Sequence, residues 1–211
     1  MKTIALFGAS GRTGQHVLAQ ALEAGYSVRV LARRPDSIRL SPPTLTVIEG
    51  DVLNPSDVER TVDGADVVVS VFGHVKGSPA TVQTDGTGNI MAAMKKHGLK
   101  RIVSLSGGGL RFEEKDKPKV PDTIIRLLLK LLSPAVLRDA EGHGALLKAS
   151  DLDWTIVRGP MLTDGVRAGQ YRVGWVGVNA SRKIARADLA AFILSQVTDD
   201  SFYAQLPFVS Y

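Results

Sequence analysis

The stretch Lys2–Gly14, KTIALFGASGRTG, decides the fold. Ile4 to Phe7 is a short apolar run of strand type. Gly8, Gly11 and Gly14 follow at a spacing of three, and Gln15 to Ala24 places small and apolar residues on one side of a helix. Strand, glycine turn and helix together form the setting in which this spacing points to a dinucleotide. Gly8 lets the chain reverse as it leaves the strand, Gly11 leaves room for a pyrophosphate at the backbone, and Gly14 lets the helix approach the sheet. The N–H groups and positive dipole end of the helix then face the phosphates.

The next segments extend this unit. Ser27 to Leu31 alternates as a second strand and ends at Arg33 and Arg34, where NAD-preferring folds carry an acidic residue for the ribose 2′-hydroxyl. A guanidinium suits a 2′-phosphate instead, so the expected cofactor is NADP. Asp36, displaced by Pro35, is the weaker acidic candidate. Leu45 to Ile48 is a third strand leading to Gly50-Asp51-Val52, and Asn54-Pro55-Ser56-Asp57 opens a helix that runs to about Asp63. Asp66 to Val71 has the apolar character of a strand buried in a parallel sheet. It delivers Phe72-Gly73-His74, with Gly73 allowing a cofactor to cross the strand end. His74 is either a ligand contact or an exposed loop histidine.

Ser78-Pro79 is expected to open a helix that ends at Gly98. Arg101 to Leu105 then carries Ser104, Ser106 and Gly107 to Gly109 to the carboxyl edge of the sheet. Ser106 either hydrogen-bonds a substrate carbonyl or the nicotinamide, or starts a turn. The charged run Arg111 to Val120 is expected on the surface. The strongly apolar helix Pro121 to Leu132 is expected to pack on a core, wall a substrate pocket or meet a partner subunit. In the next helix, Leu137 to Ser150, His143 is either a catalytic acid or part of a solvated face. Asp153 to Arg158 is a sixth strand with Gly159-Pro160-Met161-Leu162 as its exit loop. Short strands are expected at Gln170 to Val176 and around Val178 and Ile184, then a helix entered through Arg186 and ending at Gln196. Leu206 to Val209 is read as an edge strand. This alternation predicts an α/β protein with a doubly wound parallel sheet of Rossmann type. One NAD(P)-binding domain spans 1–211, with about 107–150 and 159–184 forming a small substrate-side lobe.

Composition narrows the function. The 211 residues are 44% hydrophobic and 22% charged, as expected for a soluble globular protein that can bury a core. The absence of cysteine excludes disulfides, thiolate catalysis and cysteine-ligated metal, and suits a reducing cytoplasm. The sequence enters a strand at once, so no signal peptide is expected. Ile124 to Leu132 is too short to span a bilayer and holds Arg126 and Lys130. The net charge of +5 is scattered, without the clustered basic face that nucleic acid requires. The expected partner is a small molecule, with no metal, nucleic acid or membrane.

GASGRTG, GDV at 50–52, GTGNIMAAMKKHGLKRIVSLS at 86–106, DWTIVRGP at 153–160 and DLAAFILSQVTDD at 188–200 come in an order that resembles the atypical short-chain dehydrogenase/reductases. The nearest likeness is to the biliverdin-IXβ reductase/flavin reductase group. The resemblance implies NADPH held by Gly8, Gly11 and Gly14, with Ser10, Arg12 and Thr13 as loop contacts and Arg33, beside Arg34, at the 2′-phosphate. Asp51 and Val52 would border the adenine, Phe72, Gly73 and Pro160 would touch the cofactor, and Met161 and Leu162 would line the substrate pocket. The Tyr-x-x-x-Lys pair of ordinary short-chain dehydrogenases is absent: Tyr26, Tyr171, Tyr203 and Tyr211 lack a lysine four residues on. That speaks against alcohol dehydrogenation and against sugar-nucleotide epimerisation. The group's serine and histidine fall at Gly107 and Met161, which speaks against bilin reduction in particular. Two readings follow. One is an NADPH-dependent oxidoreductase that passes hydride to a flat conjugated acceptor, a flavin or quinone. The other is a non-catalytic NADP-binding regulator that presents its apolar helix to a protein.

Overall fold

The computed structural model describes residues 2–211. Its sheet is built on β1 (Thr3–Phe7), which lies between β2 (Ser27–Ala32) and β4 (Val67–Ser70) and pairs with both in parallel. Beyond β2 lies β3 (Leu45–Glu49). Beyond β4 come β5 (Arg101–Gly107) and β6 (Asp153–Gly159), again all parallel. The chain moves outward from β1 in one direction and returns to continue from β4 in the other. The carboxyl ends of β1 and β4 therefore flank the crevice where open α/β sheets bind ligands.

Side-chain alternation sorts two cores. Ile4 and Leu6 face α1 (Arg12–Glu23) and α6 (Arg186–Ser195), which pack on each other. Ala5 and Phe7 face α2 (Pro55–Val62), α3 (Val82–Lys96) and α5 (Pro134–Lys148). Strands buried on both sides need near-continuous apolar sequence, which TIALF and VVVS supply. Asn54 caps α2 as expected, accepting the Ser56 N–H at 3.0 Å.

Four expectations need correction. The C-terminal strand β10 (Phe208–Ser210) is interior: it lies parallel to β6 and is covered by antiparallel β8 (Arg172–Gly174), the true edge. Helix α3 starts at Val82 rather than Ser78, because the Ser78 hydroxyl is used in a turn with Val75. The 111–120 run is anchored, not a free surface loop. Phe112 is buried, and Asp116 meets the fully buried Arg158 in a bidentate pair at 2.8 and 2.9 Å. Arg158 spends its other donors on the carbonyls of Leu110 and Leu206. The apolar helix α4 (Val120–Leu132) has no buried residue and rests chiefly on α5. A small parallel pair, β7 (Met161–Thr163) with β9 (Lys183–Ala185), completes the side of the molecule expected to receive substrate.

Candidate functional site

A groove of about 610 Å³ opens at the β1/β4 crevice. Its floor is the Gly8 turn, where φ is +89° and an added Cβ would come within 2.5 Å of the Phe72 nitrogen. The exit loops of β1 and β4 therefore touch only because residue 8 is glycine. Gly14 lies beneath the groove, its Cα pressed on the Gly8 carbonyl so that a side chain has no space. Gly11 is different: an added Cβ meets only the Gly8 oxygen, at 3.2 Å. No side chain caps α1, and its first turn carries no acid. An uncapped, acid-free helix start beneath open backbone is a fit for the pyrophosphate of a dinucleotide.

Around this turn the groove gathers Ser10, Arg12, Thr13, Arg33, Asp51, Val52, Phe72, Gly73 and His74. The Arg33 side chain is exposed and forms no ion pair among the described residues. Arg34, expected beside it, does not line the groove; its carbonyl instead closes a short 3-10 turn with Ser37. The loop at Asp51 and Val52 is held by two carboxylates: Asp57 accepts the Asp51 N–H at 3.0 Å, and Asp51 accepts that of Leu53 at 2.9 Å. Asn89 adds a bond to the Val52 carbonyl. The Phe72 ring packs where Gly86 of α3 leaves space for it.

Sequence reasoning missed two arrangements here. Asp164 follows β7 and bridges Arg12 and Arg186 across the mouth of the groove, with Arg186 at 2.6 Å. The Arg12 bond, ahead of the other contributions, holds its carboxyl below the usual carboxylate range. Asp139, from α5, accepts the Gln83 and Thr84 N–H groups at 2.8 Å each, so it caps α3 across the fold. It also bonds His74 Nε2 at 2.8 Å, which fixes the ring against the groove. Burial of Asp139 works to raise its pKa, but the bonds from Thr84, Gln83 and His74 outweigh it and keep the carboxyl ionised.

A second cavity of about 620 Å³ adjoins the groove where residues alternate between the two: Val82 and Leu162 face the groove, Gln83 and Met161 the chamber. Its wall is mostly apolar, built from Gly107 to Leu110, Ile125, Leu129, Leu137 and Phe208. Met161 lines this chamber. Leu162 turns to the groove, because it follows Met161 on β7 and successive strand residues point to opposite sides, while Pro160, ahead of the strand, lines the chamber with Met161.

Ser106 lines neither cavity. It is buried, and its hydroxyl has no partner among the described residues. Two residues earlier on β5, Ser104 bonds His143 Nε2 at 2.8 Å. His143 is not on a solvated face; it is 1% exposed. Burial pushes its pKa down to about 4, against smaller opposing effects of Asp139 and the Ala140 backbone. The ring is therefore the neutral imidazole at pH 7, without the second proton that a general acid would give up.

An open parallel sheet with a glycine turn at its switch point and an uncapped helix start defines a nucleotide-cofactor-binding protein. Within that class the chain belongs to the NAD(P)H-binding family, whose pattern it matches over residues 8–200. It is 39% identical over 106 residues to an uncharacterised Mycobacterium tuberculosis protein, a match covering 50% of this chain and 12% of that one. The reductase pytE of Aspergillus terreus is 27% identical over 92% of this chain and 91% of its own length. A crystal structure of an oxidoreductase from Lactococcus lactis shares the fold, with a TM-score of 0.81 at 21% identity over 100% of this chain and 90% of that one. Among the described residues no helix is long and apolar enough to cross a membrane, and no cluster of side chains is placed to hold a metal ion.

Proposed function

We propose that the chain is an NADPH-dependent reductase of a flat conjugated acceptor, a flavin or quinone. One observation carries this reading. An apolar chamber joins the cofactor groove, and among the described residues its ionisable lining is Asp122, Arg126 and Arg182, with no histidine, lysine, cysteine or tyrosine to serve as a general acid. Flavins and quinones take their proton from water, whereas a carbonyl substrate needs a positioned acid.

The cofactor, when bound, supplies the hydride. The rest falls to the chain. Gly8, Ser10, Gly11 and Thr13 would hold the pyrophosphate at the start of α1, with Gly14 letting the helix come close enough. Arg33 would take the 2′-phosphate, Asp51 and Val52 would border the adenine, and Phe72 and Gly73 would floor the groove. His74, fixed by Asp139, would orient the ribose beside it. Gly107 to Gly109, lacking side chains, let a planar acceptor lie against the strand end, while Leu129, Leu137 and Phe208 exclude water from it. Ser106 is withdrawn from contact with either ligand by its burial.

The test is NADPH oxidation with FMN, riboflavin, menadione and a bilin, each from pH 6 to 8. Turnover with a flavin or quinone at a rate nearly independent of pH is expected. Tight NADPH binding without oxidation by any acceptor would replace this reading with that of a cofactor-binding regulator.

A further inference from the structure

The chamber does not end at its apolar wall. A cavity of about 360 Å³ continues from it, sharing Asp122, Val176, Ser181, Arg182 and Phe208. The character of the lining changes along the way. The extension brings Lys119 and Arg172 to the same space as Arg182. None of these three cations forms an ion pair among the described residues, whereas Arg126, further inside the chamber, is already paired with Glu141 at 2.7 Å. The one acid of the extension is Asp122, and its carboxylate accepts the Lys119 N–H at 2.8 Å at the start of α4. Lys119 begins α4, Arg172 lies on the edge strand β8, and Arg182 precedes β9, so three separate elements converge their charge on one space.

We propose that this extension is an anion subsite, and that the acceptor carries a flexible tail ending in a phosphate or carboxylate. The proposal rests on the assignment of the chamber to a planar acceptor and adds the other half of that molecule. The planar part lies in the apolar space, and the tail runs past Phe208 to Lys119, Arg172 and Arg182. Cations left unpaired at the end of an apolar cavity gain most from an anionic group delivered to them. Because the subsite is open to solvent, each contact is worth less than a buried one and is screened by salt.

FMN and riboflavin separate the two halves, since they share the ring system and differ by the terminal phosphate. Binding of each to the protein is measured by quenching of flavin fluorescence, with and without NADP, and reduction is followed in parallel. We expect FMN to bind about tenfold more tightly than riboflavin at low ionic strength, with the gap narrowing severalfold in 0.5 M NaCl. In Arg182→Ala and Arg172→Ala the two affinities should converge on the riboflavin value of the same variant. Equal binding of the two flavins by the unaltered chain, or binding of neither, overturns the subsite. A marked FMN preference without reduction of any acceptor supports the subsite while removing the hydride-transfer reading on which it was built.

Discussion

The buried His143 makes stability depend on pH in a way that one variant can isolate. In the folded chain the ring titrates near 4, whereas in the unfolded chain it returns to its ordinary 6.5. Between those values the unfolded state binds the proton and the folded state does not. The contribution is therefore fully present above about pH 6.5, falls as the pH drops, and is gone near pH 4. A difference of roughly 2.5 units amounts to about 3 kcal/mol, lost at no more than about 1.4 kcal/mol per pH unit. His143→Gln removes the titration while keeping an amide that can bond Ser104. Urea denaturation of both proteins at half-unit steps from pH 4 to 7.5 gives two curves of stability against pH. Carboxylates away from the ring contribute alike to both, so the difference reports the histidine together with its coupling to Asp139. The variant should lose markedly less stability over this window. Parallel curves would mean that the imidazole titrates normally in the fold, and a general-acid role at pH 6 to 7 would reopen.

Other expectations are checked more directly. Arg33→Ala should remove most of a roughly 10- to 100-fold preference for NADPH over NADH, the gap expected of a charge-assisted contact to phosphate, and leave NADH nearly unchanged. Equal affinities in the unaltered chain would refute the assignment. Asp116→Ala strands the fully buried Arg158 charge and should destabilise by about 3–5 kcal/mol, read as a melting temperature lower by roughly 10 °C. Asp151→Ala, at the exposed pair with Lys100, is the control and should change little. Asp164→Ala frees Arg12 and Arg186 for phosphate and should tighten NADPH binding, most at low salt. Weaker binding would show that Asp164 orders these arginines rather than competing for them.

The sheet was legible because its physics is local. Continuous apolar runs such as VVVS need both faces buried, and GASGRTG carries the turn, the close approach and the helix start in seven residues. The position of Arg33 at the groove was legible for the same reason, since it stands at a fixed distance past the glycines. The helical pattern also held a signal that was passed over. Ala140, His143, Gly144 and Leu147 recur at spacings of three and four, which puts the histidine on the buried face of α5. Asp116 was hidden in EEKDK, where one carboxylate of a charged run looks like its neighbours until Arg158 is found opposite, 42 residues away. Asp139 and Asp164 gave no local sign at all. Their partners come from other elements, and long-range pairing of polar groups leaves no periodicity to read. Met161 and Leu162, read together from the sequence, part because neighbours on β7 point to opposite sides.

Helix α4 has a kinetic consequence. A helix with no buried residue that rests chiefly on one neighbouring helix can open with little disturbance of the sheet, so its free energy of opening is small compared with that of global unfolding. Its amides should exchange with deuterium far sooner than those of α5, although both helices are of similar length. Ile125 and Leu129 are the part of α4 that faces the chamber, so the same opening widens the way in. If a bulky ligand enters this way, a crosslink from α4 to α5 should slow its binding to the chamber while leaving the groove beside the Gly8 turn as it is.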